Sequence, residues 1–244
     1  MQFQHLRSRL LFDRDEVNRL SYSFVSGSNF DPLSEITRLP PPTALHIVLG
    51  SSSSNRQNIL NMIGWPFTVM IPDIDEKAIR SEDQLELPVL IAKAKAEAIC
   101  SRLTGNEDPF VLITTDQVVY YEGEIREKPG NCAEAVRYLT SYSNNAVSTI
   151  SAVVATHIPS MRQSSEVDVA TVFWKTISSD VVGKVISRGE IFSSAGGFRI
   201  EDPDLKGCIL DIHGSVDSVM GMPIEAAVQV IRAILDYSNE EPFY

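Results

Sequence analysis

The stretch HIVLGSSSSNRQNIL, residues 46–60, places four consecutive serines and an arginine between a short apolar run and a helical pattern. A strand followed by a hydroxyl-rich loop and a helix N-terminus directs backbone N–H groups and the helix dipole toward an anion, which is a common way of binding phosphate. The hydroxyls of Ser51 and Ser53 can donate further hydrogen bonds, and Arg56 can add a bidentate positive charge. A simpler interpretation stays open, in which Ser54 caps the helix and Arg56 is solvated.

Carboxylates and lysines further along the chain have the charges that metal-assisted phosphate chemistry needs. Asp116 follows the buried pattern FVLITT, and ligands bind at such strand ends in open α/β sheets, although an aspartate there is also a common turn former. Lys95 lies beside the apolar stripe of the helical segment PVLIAKAKAEAICSRL, and a lysine in that position usually extends into solvent. Two further candidates are Asp75, in the segment DIDE, and Lys128, which follows a predicted hairpin at residues 122–123.

The candidate residues fall near the ends of predicted elements that alternate between strand and helix. HIVL predicts a short buried strand, and residues 55–63 predict a helix that Gly64 closes. The other predicted strands are at 110–114, 147–156, 167–176 and in GCILDIHG. The other predicted helices are one capped by Asn131 that runs to about 142, one at about 180–188 that stops at Gly189, and one after Pro223. Because the two types alternate without internal repeats, we expect an α/β fold with a mixed sheet.

The composition favours one compact globular domain. The chain has 244 residues, of which 43% are hydrophobic, and this is enough to bury a core. Its net charge of -11 repels nucleic-acid backbones and anionic membranes, so we expect a small polyanion such as a nucleotide as ligand, with no nucleic acid and no membrane as partner. No apolar run approaches the roughly 18 residues that a membrane span needs.

The cysteines and the N-terminus favour a cytoplasmic protein. Three cysteines are spread singly, which suggests neither a disulfide framework nor a zinc site. The N-terminal arginines are interspersed with acidic residues, which transit peptides usually lack. Residues 1–44 end in three consecutive prolines, so we interpret them as an irregular extension that precedes a single domain at 45–244.

The order and spacing of these motifs resemble the Maf family of nucleoside triphosphate pyrophosphatases. The resemblance extends over about residues 46–237 and rests on the serine-rich loop, DIDE, IAKAKA, TDQVV, EKPG and AGGFRIED. It implies a mixed twisted sheet flanked by helices, with two lobes around a nucleotide cleft, as in Maf and ITPase-like folds. It also implies hydrolysis of the α–β phosphoanhydride of a nucleoside triphosphate, which yields a nucleoside monophosphate and pyrophosphate.

The same resemblance implies roles for the candidate residues. Asp116 is the candidate general base or a metal ligand that organises the attacking water, and Asp75 is a second carboxylate and candidate metal ligand. Lys95 and Lys128 complete the implied catalytic set by holding phosphates. The implied phosphate cradle consists of Ser51, Ser53 and Arg56. Hard oxygen ligands indicate Mg²⁺ or Mn²⁺ as the cofactor, and only the resemblance suggests a homodimer.

Three positions depart from the frequent family pattern and bear on specificity. Asn55 replaces an arginine before Arg56, Gln117 replaces a threonine after Asp116, and Glu201 lies where a glutamine is frequent. Arginine, threonine and glutamine are typical of the branch that acts on dTTP and UTP, whereas the pattern here resembles the branch associated with 7-methyl-GTP. A carboxylate can accept hydrogen bonds from the N1–H and amine of guanine, so Glu201 is a candidate substrate-binding residue. Gln117 is a second candidate, which the resemblance to this branch implies.

Two alternatives to this function stay open. Glu201 could be a solvated loop carboxylate, in which case the enzyme would be a dTTP/UTP pyrophosphatase. The chain could also bind nucleotide without turnover, as an interaction protein linked to cell-division control. A catalytic carboxylate among phosphate-binding cations favours an enzyme, because binding alone does not need it.

Overall fold

The computed structural model describes residues 4–7, 10, 30–105 and 107–236. The strands are β1 (His46–Gly50), β2 (Phe67–Val69), β3 (Phe110–Tyr121), β4 (Glu124–Arg126), β5 (Ala146–Ile158), β6 (Gln163–Trp174) and β7 (Ile209–His213). The helices are α1 (Gln4–Arg7), α2 (Ser54–Met62), α3 (Leu87–Cys100), α4 (Cys132–Tyr142), α5 (Ser179–Arg188), α6 (Val216–Val219) and α7 (Ile224–Asp236). Most of the predicted N-terminal extension lies outside the described residues, so its limits stay a prediction.

The strands form one mixed sheet, as the sequence predicted. Their order is β2-β1-β3-β5-β6-β7, and β4 pairs with β3. β1 is parallel to both β2 and β3, whereas β4 is antiparallel to β3 and β7 is antiparallel to β6. The predicted hairpin at residues 122–123 is also confirmed, because both residues have positive φ and join β3 to β4.

The chain divides into two compact units. Unit A consists of Thr37–Asp116, Ser151–Asp168 and the described part of Gly221–Tyr244; unit B consists of the described residues up to Ile36, Gln117–Ile150 and Val169–Met220. Strands β3, β5 and β6 each contribute residues to both units.

In unit A, helix α3 packs its apolar face on strands β1 and β3. The buried cluster there consists of Val48, Ala96, Ile99, Phe110, Leu112 and Ile158. Gly50 ends β1 at a close approach, since a Cβ at this position would lie 2.5 Å from Cγ2 of Thr114 and 2.8 Å from Cδ1 of Ile99. A larger residue would therefore displace the start of the serine-rich loop.

In unit B, aromatic rings pack edge to face. Tyr142 contacts Tyr121 and Phe198 at centroid distances of 5.4 and 5.7 Å, and Trp174 contacts Phe198 at 5.4 Å. The buried guanidinium of Arg126 lies 4.4 to 5.0 Å from the centroids of three tyrosine rings, a cation–π arrangement that stabilises the cluster.

The helix ends agree with the sequence in three cases and differ in one. Gly64 follows the end of α2 with a φ of 77°, as predicted. Asn131 caps α4 by accepting a hydrogen bond from the Glu134 N–H at 3.0 Å, and Gly189 ends α5 with a φ of 75°. The prediction that Ser54 caps α2 is wrong, because the N-cap is Ser53, whose side chain makes no capping hydrogen bond.

Candidate active site

The serine-rich loop and Arg56 meet just beyond the carboxyl end of β1. The register pairs Gly50 of β1 with Thr114 of β3, so the residues that follow each of them lie side by side. Ser51 is buried, and its Oγ accepts hydrogen bonds from the Ser53 N–H at 3.2 Å and from Nη1 of Arg56 at 3.1 Å. The structure thus brings Ser51, Ser53 and Arg56 together, as predicted.

Arg56 is held at a second point on the other side of its guanidinium. Its Nε donates to the carbonyl oxygen of Gly221 at 3.0 Å. Burial lowers the pKa of Arg56, whereas the nearby charges of Asp116 and Glu76 raise it. An arginine nevertheless stays cationic at neutral pH, so Arg56 contributes a fixed positive charge in unit A.

Lys95 is buried, so the interpretation that it extends into solvent is wrong. Its side chain is 4% exposed, and its Nζ lies 2.7 Å from Oδ1 of Asp116 and 2.8 Å from Oε1 of Glu76. The same ammonium donates to the carbonyl oxygen of Thr115 at 3.2 Å. An ammonium has three protons, and each of them has an acceptor here. Lys95 therefore fixes the two carboxylates relative to each other.

Asp116 is a buried residue of a strand and not a turn residue. It lies within strand β3, and its side chain is 10% exposed. Burial raises the pKa of Asp116, while the positive charges of Lys95 and Arg56 lower it. A raised pKa brings a carboxylate closer to the range in which it can accept a proton from water at neutral pH.

Two threonines fix strand β3 next to Asp116. Thr114 Oγ1 donates to the Ala92 carbonyl of α3 at 2.7 Å, and Thr115 Oγ1 donates to the Gly221 carbonyl at 3.4 Å. The first of these bonds ties β3 to the helix that contains Lys95. The contact between Lys95 and Asp116 is therefore supported by the backbone of both elements.

Glu76, and not Asp75, reaches this cluster. Asp75 is exposed, and its Oδ1 accepts a hydrogen bond from the Lys77 N–H at 3.0 Å, which caps the 3₁₀ turn Glu76–Ala78. The turn directs the next side chain, Glu76, toward Lys95. The sequence marks the segment DIDE but does not show which carboxylate points inward; that Asp75 binds metal stays a prediction.

The carboxylates of unit A fit a partly hydrated divalent cation. The described part of the chain contains no group of three His, Cys, Asp or Glu side chains that could hold a metal ion by themselves. Asp116 and Glu76 contact the same Nζ at 2.7 and 2.8 Å, so the two contacting oxygens lie in one cluster. Mg²⁺ is commonly bound by one or two carboxylates together with waters and substrate phosphates, and this donor set suits it.

In unit B, Gln117 is tied to the backbone of α6. Its Nε2 donates to the carbonyl oxygens of Ser218 at 2.9 Å and Val219 at 3.0 Å. Both protons of the amide group already have acceptors there. If Gln117 binds substrate, its Oε1 would therefore be the contacting atom, as a hydrogen-bond acceptor. That Gln117 binds substrate stays a prediction.

Lys128 is exposed and lies next to the loop AGGF, residues 195–198. The carbonyl of the preceding Glu127 accepts a hydrogen bond from the Gly196 N–H at 3.0 Å, and the Tyr142 hydroxyl donates to the Gly196 carbonyl at 3.0 Å. Gly196 itself has a φ of +67°, and a Cβ there would lie 2.6 Å from Cγ2 of Val119. The segment with Lys128 is thus fixed against this loop.

Glu201 is not a solvated loop carboxylate. Its side chain is 16% exposed, and its Oε1 accepts a hydrogen bond from Nε of Arg199 at 2.8 Å. Arg199 also donates through Nη1 to Oε2 of Glu190 at 2.6 Å. The sequence contains the arginine two residues before Glu201, but it does not reveal the contact with Glu190.

These features define an α/β protein in which strand β1 ends, beside the middle of the parallel strand β3, at a cluster of phosphate-binding residue types and paired carboxylates. The chain belongs to the Maf family: the family model described as "Maf-like protein" matches residues 46–234.

Curated relatives with related names cover most of this chain. A protein of Dictyostelium discoideum named 7-methyl-GTP pyrophosphatase is 36% identical over 185 residues, which are 74% of this chain and 93% of the relative. A protein of Vibrio vulnificus strain YJ016 named dTTP/UTP pyrophosphatase is 28% identical over 189 residues, 78% of this chain and 98% of the relative. Among solved structures, the Staphylococcus aureus Ham1 protein matches at 13% identity and a TM-score of 0.35, covering 80% of this chain and all of that one.

Proposed function

We propose that this protein is a metal-dependent nucleoside triphosphate pyrophosphatase that hydrolyses the bond between the α- and β-phosphates. The observation that carries the proposal is the buried ammonium of Lys95 between Asp116 and Glu76, at 2.7 and 2.8 Å, with Arg56 beside them. Two cations and two carboxylates in one cluster suit a reaction in which water is activated while a highly charged group leaves.

In the proposed reaction, Asp116 accepts a proton from the attacking water. The water oxygen forms a bond to the α-phosphorus, and the bond from that phosphorus to the bridging oxygen breaks, which releases pyrophosphate. Mg²⁺ or Mn²⁺, when bound, neutralises phosphate charge. Asp116 and Glu76 would hold the ion, and Asp75 stays a predicted ligand from the resemblance.

The remaining residues bind phosphate. Arg56 and the hydroxyl of Ser51 are held together by a hydrogen bond of 3.1 Å, which gives the cradle a fixed geometry before substrate arrives. Ser53 adds a hydroxyl at the N-terminus of α2, where the helix dipole favours an anion. Lys128, exposed beside the AGGF loop, would contact the polyphosphate.

For the substrate we propose 7-methyl-GTP. Glu201 supports this choice, because N7-methylation puts positive charge on guanine and acidifies its N1–H, so that a facing carboxylate gains a charge-assisted hydrogen bond. The name of the Dictyostelium discoideum relative agrees with it. The second candidate is dTTP or UTP, which the name of the Vibrio vulnificus relative suggests.

The setting of this activity is part of the proposal. We propose a cytoplasmic enzyme that acts on a free nucleotide, with no nucleic-acid or membrane partner, and a homodimer stays a prediction from the family resemblance. Within the described residues, no helix is both long and apolar enough to cross a bilayer.

Product analysis tests the reaction. Incubation of the protein with a nucleoside triphosphate and Mg²⁺ should give the monophosphate and pyrophosphate in equal amounts, and a chelator should stop the reaction. Asp180→Asn serves as the matched control for Asp116→Asn, because Asp180 is an exposed carboxylate of α5 that pairs with Lys184 at 2.8 Å. Release of a nucleoside diphosphate and inorganic phosphate, or binding without any product, would contradict the proposal.

A further inference from the structure

The segment around Glu201 alternates between buried and half-buried residues. Phe198, Ile200 and Asp202 are buried, whereas Arg199 and Glu201 are partly exposed. The Asp202 N–H donates to the Arg199 carbonyl oxygen at 3.2 Å, so residues 199–202 form a turn. Within this turn Nε of Arg199 lies 2.8 Å from Oε1 of Glu201, and the buried residues anchor the segment.

The backbone beyond Glu201 is fixed independently of the Arg199 side chain. Asp202 receives two hydrogen bonds from Nη2 of Arg188, at 2.6 and 2.7 Å, and one from Nε at 3.0 Å. Its Oδ1 also accepts from the N–H groups of Asp204 and Leu205 at 2.9 and 3.1 Å. Because these contacts hold the backbone of the turn, the Arg199 guanidinium restrains only the side chain of Glu201.

Arg199 contacts only one side of the Glu201 carboxylate. Its Nε donates to Oε1 at 2.8 Å, while its Nη1 is bound to Glu190 at 2.6 Å. Among the described residues, Arg199 is the hydrogen-bond partner that the structure shows for this carboxylate, and the bond goes to Oε1. Each carboxylate oxygen has two lone pairs, so both oxygens keep capacity for an external donor.

We propose that Arg199 is a specificity-determining positioning residue, which holds the Glu201 carboxylate with Oε2 presented to the N1–H and amine edge of a guanine-type base. This inference rests on the proposed function, in which Glu201 reads the base. Arg199 is anchored at its far end by Glu190, so it restrains the flexible Glu201 side chain before the nucleotide binds. Restraining such a side chain in advance saves the cost of ordering it on binding.

Arg199→Met tests the proposal, since methionine keeps an apolar stem but removes the guanidinium. We expect kcat/KM for 7-methyl-GTP to fall by roughly three- to tenfold, the range expected for one immobilised side chain. The loss should appear in KM rather than kcat, because Arg199 does not touch the reacting phosphates. Activity on UTP should stay within about twofold, since uracil offers one N3–H between two carbonyl acceptors and lacks the adjacent N1–H and amine donors of guanine.

Two further measurements separate positioning from general damage. In the Glu201→Gln background, Arg199→Met should have no additional effect, because the two residues act as one unit. Arg137→Met is the matched control, because Arg137 is half-exposed on α4 in the same unit and binds Glu124 at 2.8 Å. This variant should keep the wild-type kcat/KM for both 7-methyl-GTP and UTP. Arg199→Lys, which retains a charge without the planar fork, should lose activity selectively toward 7-methyl-GTP even if the methionine variant does not fold.

The outcomes distinguish this inference from the proposed function. If the wild type prefers 7-methyl-GTP and Glu201→Gln reduces that preference, but neither Arg199 variant does, the positioning role alone is overturned. Equal losses for both nucleotides, or a full additive effect in the double variant, would overturn it as well. A wild type that prefers UTP would overturn the proposed substrate and this inference together.

Discussion

Replacing Lys95 with methionine would remove the buried ammonium from the cluster in unit A while keeping the length and most of the volume of the side chain. The Nζ contacts Asp116 at 2.7 Å, Glu76 at 2.8 Å and the Thr115 carbonyl at 3.2 Å, so three acceptors lose a partner. Breaking a buried ion pair by removing one partner typically costs about 3 to 5 kcal/mol. Glu76 is 39% exposed and can turn to water, so we expect about 3 kcal/mol, the lower end of that range.

The pH dependence of this loss follows from Asp116. Burial raises the pKa of Asp116, and Lys95 opposes that shift, so the Lys95→Met protein should have an even higher pKa at this residue. A carboxylate whose pKa is higher in the folded than in the unfolded state destabilises the fold when it is ionised, and the penalty shrinks as the pH falls through the folded-state pKa. The variant should therefore be most destabilised at pH 8 and should approach the wild type at pH 5.

Urea unfolding at the two pH values measures this effect, together with pyrophosphate release at pH 8. Lys93→Met is the matched control, because Lys93 lies on the same helix two residues earlier and has no hydrogen bond or ion pair to the described residues. We expect Lys93→Met to keep the wild-type midpoint of urea unfolding and the wild-type rate of pyrophosphate release. A Lys95→Met protein with wild-type stability at pH 8, or with a loss that grows toward pH 5, would refute the reasoning.

Three further predictions concern the chemistry. Asp116→Asn should lower kcat by about 10²- to 10⁴-fold with the fold intact by circular dichroism, as for the loss of a general base, and near-normal kcat would contradict the assignment. Lys128→Ala should weaken the binding of a triphosphate more than that of the corresponding monophosphate in calorimetric titrations, and equal losses would indicate a structural role. As the pH is lowered, the wild-type kcat/KM should fall with a midpoint above the ordinary aspartate pKa of about 3.9, because burial raises the pKa of Asp116. A midpoint at or below that value would show that the pKa of Asp116 is not raised.

The sequence predicted the parts of the fold that depend on local patterns. The strand at His46, the hairpin at residues 122–123 and the cap at Asn131 are all confirmed, because each depends on residue types within a few positions. Strand β3 is longer than predicted and extends to Tyr121. The prediction ended at residue 114 because Thr114, Thr115 and Asp116 interrupt the apolar pattern. Those polar residues stay in the strand because their side chains find partners on other elements.

The candidate site was predicted less completely because its contacts join distant segments. A lysine beside an apolar stripe looks solvated, and only the position of Asp116 and Glu76 shows why Lys95 is buried. The choice between Asp75 and Glu76 depends on one 3₁₀ turn, which has no strong sequence signal. Likewise, the clamp of Arg199 between Glu190 and Glu201 could not be read from spacing, because Glu190 is separated from the loop by another turn.

The most direct test of the account is kcat/KM for pyrophosphate release from 7-methyl-GTP and from UTP, measured with Mg²⁺ for the wild type and for Glu201→Gln. One charge-assisted hydrogen bond contributes roughly 1.5 to 3 kcal/mol, so the wild type should prefer 7-methyl-GTP by about ten- to a hundredfold. Glu201→Gln should lower activity on 7-methyl-GTP more than on UTP. A wild type that prefers UTP, or a variant that keeps the wild-type ratio, would contradict the claim that Glu201 selects the base, and a wild type that releases no pyrophosphate from either nucleotide would contradict the proposed reaction.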